Sequence, residues 1–143
     1  MSAPTEQAQA FLSEPHVAVL ATVDGSGRPH AMPIWYLYED GVIIMSAGRN
    51  SQKRRNLEAN PWATLVVDRR ETPYYALMIR GRAEIGPAIS HEQRERMAIR
   101  YLGEEEGRRY AERTRGGDSI SIRLVPEEWI EFHGQAGRRD EDH

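Results

Sequence analysis

The chain has 143 residues, 39% hydrophobic and 29% charged, which suits one compact domain with a single core and excludes a mostly disordered chain. Its 19 basic and 22 acidic residues leave a net charge of −3, the wrong sign for a general nucleic-acid binder. No cysteine is present, so disulfides, thiolate metal sites and cysteine nucleophiles are excluded, and no apolar run reaches the ~18 residues that would span a membrane.

Met1 to Phe11 lacks a basic start followed by a hydrophobic stretch. No signal peptide is read there, and the expected location is cytoplasmic. Of the basic residues, 18 are Arg and one, Lys53, is Lys. In so Arg-rich a chain, a lone Lys hints at a site that needs a compact ammonium.

Residues 5–14 read as a helix that stops before Pro15. His16 to Val23 is a Val-rich, nearly continuous apolar run, expected as a strand covered on both faces. Asp24-Gly25-Ser26-Gly27 is a turn signal that returns the chain antiparallel from Arg28 to Tyr38. Glu39-Asp40-Gly41 turns it again into Val42–Met45, so the first half reads as a three-stranded meander. Ser51 to Asn60 has helical character, with Ser51 as N-cap and Pro61 as terminator.

Trp62 to Val67 is a further strand, Arg69 to Pro73 a loop, and Tyr74 to Ile85 a long strand with Gly81 as a bulge. Beyond Pro87–Ser90 the chain is helical, with Glu92/Arg96, Glu104/Arg108 and Glu105/Arg109 as i,i+4 pairs. Gly103 and Gly107 are expected to break it into two helices. Ser119–Val125 and Glu128–Phe132 alternate as two strands. Residues 137–143 form a charged tail expected to fray. About six mostly antiparallel strands with three or four helices favour a sheet curled into a barrel, a single domain over residues 1–143.

Gly41 to Leu57 contains no acidic residue and holds Arg49, Lys53, Arg54 and Arg55, a local charge of +4. Ser46 and Ser51 add hydroxyls at a strand end and a helix start. Such a start offers unpaired backbone N–H groups and a positive dipole end, the ingredients of a phosphate site. A solvated basic helix face is the alternative for the same residues; the coincidence of cap, hydroxyls and cations favours the anion. Met32 to Tyr38 places Trp35, Tyr36 and Tyr38 close together, and flat side chains can wall a pocket for a planar ring. Together the two features suggest a phosphorylated, ring-containing cofactor.

These residues resemble the split β-barrel flavin and deazaflavin oxidoreductases, the superfamily of pyridoxamine 5′-phosphate oxidase. Four pieces carry the resemblance: Val17 to Pro29, Met32 to Trp35, Ser46 with Ser51 to Pro61, and Gly81 to Glu84. They span about residues 11–125. Within the superfamily the chain is most similar to the small actinobacterial type that uses coenzyme F420, a deazaflavin. The resemblance implies a mainly β (α+β) split barrel and a homodimer with cofactor sites at its interface. Lys53, Ser51 and Ser46 would hold the cofactor phosphate with Gln52 and Arg54 close by. Met32, Pro33, Ile34 and Trp35 would line the tricyclic ring. Arg49 or Arg55 would meet the acidic tail of the deazaflavin, and Tyr74 and Tyr75 would reach the partner's site.

The implied activity is hydride transfer from reduced F420 to an unsaturated small molecule. The alternatives are an FMN-dependent reductase or oxidase on the same fold, and a non-catalytic deazaflavin-binding protein. Flavin oxidases commonly carry Arg where Gln52 stands and a basic residue where Met32 stands, so both positions point away from FMN. The C-terminal extension that forms the vitamin phosphate site in pyridoxamine phosphate oxidase has no counterpart, so that activity is not expected.

No catalytic residue can be named, because the cofactor carries the chemistry. His91 and Glu95 share a helix face, but two ligands are too few for a metal site, and none is expected. His30 and His133 read as surface histidines before proton donors, and Arg28 as a solvent or substrate contact. No G-x-S-x-G, P-loop or G-x-G-x-x-G pattern occurs. Neither a nucleic-acid nor a membrane partner is expected. The loops that would shape a substrate pocket, Arg69–Pro73 and Gly103–Gly117, carry no signature.

Overall fold

Local capping sets the first element of the computed structural model, which describes residues 3–134. The Thr5 hydroxyl accepts from the Ala8 N–H at 3.0 Å and starts α1 (Glu6–Leu12), as a Thr N-cap should. There follow β1 (Ala18–Val23), β2 (Pro29–Ile34), β3 (Leu37–Glu39), β4 (Val42–Gly48), α2 (Gln52–Ala59), β5 (Trp62–Arg69) and β6 (Tyr74–Gly86). Then come α3 (His91–Leu102), α4 (Glu104–Arg113) and β7 (Ser119–Gly134). The charged tail at residues 137–143 lies outside the described residues.

The seven strands form one antiparallel sheet in the order β2-β1-β5-β6-β7-β4-β3. The two edge strands, β2 and β3, are consecutive in the chain and separated only by Trp35 and Tyr36. The sheet is therefore curled but open, a split barrel whose gap is bridged by that linker. The expected meander is corrected here. One strand from Arg28 to Tyr38 is two, and β3 pairs with β4 but not with β2. Tertiary contacts break the strand. The Tyr36 hydroxyl donates to the Leu12 carbonyl at 2.7 Å, and the Tyr36 N–H donates to the Tyr101 hydroxyl at 3.2 Å.

A second correction concerns the last strand. Ser119–Val125 and Glu128–Phe132 are one continuous element, β7. Arg80 faces Glu128 while Gly81 faces Pro126, so Glu127 is the extra residue of a bulge. The bulge lets Pro126, which has no N–H, sit mid-strand. The same place explains Gly81, because a Cβ there would lie 2.0 Å from the Val125 carbonyl oxygen.

Strand alternation sends Leu20, Met45, Leu65, Leu77, Ile79, Ile122 and Leu124 into the barrel core, all fully buried. Leu57 joins them from α2, which packs against β1, β4 and β6. Outside the barrel, Met97 of α3 and Ile89 just before it pack with Leu37 of β3 and Ile44 of β4, and α4 packs on α3. Ser90 and Gln93 form a capping box at the start of α3. Gly103 separates the two helices, but Gly107, expected to help break them, lies inside α4. A Cβ on Gly107 would be 2.5 Å from Ile99 Cα, so this glycine serves close helix packing.

Candidate cofactor site

The site is built on the passage from β4 into α2. Ile43, Met45 and Ala47 point into the core, so the period of two turns Ile44 and Ser46 to the outer face, toward α3. After Gly48 a tight turn, closed by the Ser51 N–H to the Gly48 carbonyl at 3.1 Å, leads to the helix. Ser51 is its N-cap, accepting from the Arg54 N–H at 3.3 Å. The first turn holds no acidic residue, and the N–H groups of Gln52 and Lys53 have no helical acceptor.

Lys53 is half-buried and makes no hydrogen bond or ion pair among the described residues. Arg54 is split. Its two terminal nitrogens reach the Arg49 carbonyl at 3.0 Å and Glu58 at 3.0 Å, while its Nε is buried without a partner among the described residues. A half-buried ammonium, an orphaned guanidinium donor and free helix N–H groups fit an incoming anion such as a cofactor phosphate. Gln52 contributes differently. Its side chain donates to Asn56 at 2.6 Å and accepts from Arg55 at 2.7 Å, so it props its own helix.

In the segment expected to line the ring, Met32 is 45% exposed on the edge strand, with Pro33 exposed beside it and Ile34 buried. Trp35 turns off the strand and stacks on Tyr101, centroids 4.8 Å apart and planes 10° apart. Trp35 and Ser46 come together in a cavity of about 200 Å³ under α3 and α4, shared with Ile89, Arg94, Met97, Ala98 and Tyr110. The residues from Ser51 to Arg54 are not in its lining. A larger cavity of about 570 Å³ lies at the β3–β4 turn, lined among others by Glu39, Asp40, Glu84 and Arg123, and takes none of the sequence-derived site residues.

The α3 face of the smaller cavity was not legible as a site. Arg94 and Met97 with Ala98 recur at helical spacing, a signal that the ion-pair pattern along the same helix obscured. Tyr75 needs a correction. It is 2% exposed in the core, its hydroxyl bonded to Glu131 at 2.6 Å, so it does not reach toward a partner. Tyr74 is exposed. Arg49 is engaged with Asp118 at 2.6 Å, and Arg55 reaches the Asn50 carbonyl at 2.6 Å.

His91 lies 3.8 Å from Glu95 and 3.9 Å from Glu112. Among the described residues no group of three His, Asp or Glu side chains is placed to hold a metal ion. No helix among them is long and apolar enough to cross a membrane. His30 Nδ1 is buried without a partner among the described residues, and His133 packs edge-on against Tyr75.

A family model described as pyridoxamine 5′-phosphate oxidase matches residues 4–133. The chain belongs to the pyridoxamine 5′-phosphate oxidase family. Among solved structures, an F420 reductase aligns with TM-score 0.72 at 25% identity, covering 89% of this chain and 98% of that one. The HutZ heme-storage protein of Vibrio cholerae aligns with TM-score 0.66 at 23% identity, over 89% and 92%. A FAD-binding protein of Mesorhizobium loti aligns with TM-score 0.66 at 19% identity, over 92% and 95%. The last two likenesses show the fold that family members share. No curated protein matches the chain.

Proposed function

We propose that this member of the pyridoxamine 5′-phosphate oxidase family is an oxidoreductase that uses reduced coenzyme F420 to reduce an unsaturated small molecule. The observation that carries the reading is the cationic start of α2, where, among the described residues, the Lys53 side chain has no partner and Arg54 Nε is buried unpaired. When bound, reduced F420 supplies a hydride. Lys53 and the α2 N–H groups bind the phosphate, with Ser51 and Arg54 at the same turn and Ser46 on the adjoining strand. The β2 backbone from Met32 to Ile34, with Trp35, flanks the ring and excludes water from one side. Gln52 at the position before Lys53, and Met32 on β2, favour the deazaflavin over FMN, as does likeness to an F420 reductase along nearly all of that chain. A cytoplasmic location goes with this reading.

The test is a side-by-side titration of the cofactor-free protein with F420 and FMN, read by tryptophan fluorescence. F420 is expected to bind more tightly. Lys53→Ala should weaken it about 10- to 100-fold, the worth of a charged hydrogen bond, with the melting temperature unchanged. Tighter FMN binding moves the protein to the flavin alternative. Binding without turnover of any acceptor makes it a carrier, and binding of neither cofactor removes the reading.

A homodimer belongs to the same proposal. On the outer face of the sheet, Pro33, Val19, Val66, Met78 and Ile130 stand in one row across β2, β1, β5, β6 and β7. Such a row of apolar side chains on a sheet face suits a second copy. Sedimentation of the unmodified protein should give twice the chain mass, and Met78→Asp should give a monomer. A monomeric unmodified protein would refute the dimer.

A further inference from the structure

Arg94 aside, the arginines of the helical layer are held away from the cavity under α3 and α4, Arg100 by the Leu12, Ser13 and Glu14 carbonyls and Arg113 over the Tyr110 ring. Arg96 pairs with Glu39 at 2.7 Å, Arg108 with Glu104 at 2.6 Å and Arg109 with Glu105 at 3.3 Å. Arg94 has no carboxylate partner among the described residues. Its guanidinium makes a single donation, to the Ser119 hydroxyl at 3.2 Å. Asp118, next to Ser119 in the chain, is taken by Arg49. The Arg94 guanidinium instead lines the cavity of about 200 Å³ under α3 and α4. A guanidinium presents a planar fork of donors that matches a carboxylate two bonds at a time.

The rest of the lining selects a flat, apolar body. The Trp35 and Tyr110 rings are 5.4 Å apart and inclined by 51°, a V-shaped wall that Tyr101 supports from behind Trp35. Met97 and Ala98 form the floor, and the Ser46 hydroxyl is a second polar group. The volume falls below the ~300–1,000 Å³ of drug-sized sites, so the ligand is small. Flat rings against aromatic walls with one fixed cation describe a ligand that is planar at one end and anionic at the other.

We propose that this cavity recognises a small planar carboxylate, an aromatic or α,β-unsaturated acid, with Arg94 holding the carboxylate and Trp35 and Tyr110 holding the planar body. As a binding site it stands on the cavity alone. As the substrate class of the enzyme it rests on the oxidoreductase reading above.

The cofactor-free protein is titrated with cinnamate and with neutral cinnamamide while the indole N–H resonances are followed by NMR, the Trp35 signal being assigned with Trp35→Phe. Cinnamate should shift the Trp35 resonance and bind at least ~10-fold more tightly than the amide, the worth of one charge-assisted contact. Arg94→Gln should erase that preference, and Arg94→Lys should keep part of it. Equal affinity for acid and amide, no binding of either, or an unmoved Trp35 signal overturns the proposal. So does full cinnamate affinity in Arg94→Gln. Should that variant fail to fold, the acid–amide comparison on the unmodified chain decides alone. Cinnamate binding without binding of F420 or FMN would keep the cavity and sink the oxidoreductase reading; the reverse would sink only the cavity assignment.

Discussion

The side-chain amide of Asn56 on α2 donates to the hydroxyl of Thr22 on β1 at 2.9 Å, and both residues are buried. Asn56 in turn accepts from Gln52, one position before Lys53. This chain of bonds ties the proposed phosphate-binding turn to the barrel wall. Asn56→Ala leaves the Thr22 hydroxyl buried without that partner, which costs about 1–3 kcal/mol. Urea denaturation should show that loss, and F420 affinity should fall with it. The double change with Thr22→Val should cost less than the sum of the single changes.

Gly81→Ala forces a methyl group to within 2.0 Å of the Val125 carbonyl oxygen, a backbone atom that cannot swing aside. The bulge must open or the β6–β7 ladder must shift. A loss of about 3 kcal/mol or more is expected, visible as a large drop in melting temperature or as insoluble protein. Wild-type stability in the variant would remove the bulge argument.

Two tyrosines set an alkaline limit. Burial pushes the Tyr36 phenol well above its ordinary 10.0, against the opposing charge of Arg100. Burial, then the hydrogen bond to Glu131, does the same for Tyr75. A folded-state pKa above the unfolded value means the fold favours the protonated phenol. That stability is fully present below about pH 10 and is lost as pH rises beyond it. Absorbance at 295 nm should show these two phenols ionising only with unfolding, and Tyr36→Phe should shallow the alkaline loss of stability.

Asp24 closes the β1–β2 turn by accepting from the N–H groups of Ser26 at 2.8 Å and Arg28 at 2.9 Å. Those backbone bonds, that to Arg28 first, hold its carboxyl below the ordinary 3.8. The sign is the reverse of the tyrosine case, and the contribution is lost as pH falls below that value. Asp24→Ala should raise hydrogen exchange in the turn, and acidification should reproduce the change in the unmodified chain.

Local signals were legible where they had no competitor. Ser51 caps α2 because a serine at that boundary satisfies a helix N–H wherever the helix lies. Gly81 reads as a bulge because a glycine within an apolar strand implies close backbone approach. The break at Trp35–Tyr36 was not legible, since the segment has ordinary strand composition. It comes from Tyr101 and Arg100, more than sixty residues away in the chain. Nor was the Arg94 cavity, because an arginine on an ion-paired helix looks like a solvated one until its neighbours are known.

By itself, the sequence determined the alternation of strands and helices, the caps and turns, the missing cysteine chemistry and the cationic start of α2. These follow from periodicity, backbone preference and residue type, which act over a few positions. Tertiary structure alone decided which strands pair, where the barrel stays open, and which side chains share a cavity. Those outcomes depend on contacts between residues far apart in the chain. They include Trp35 on Tyr101, Asn56 on Thr22, and Arg94 beside Ser46 in one cavity.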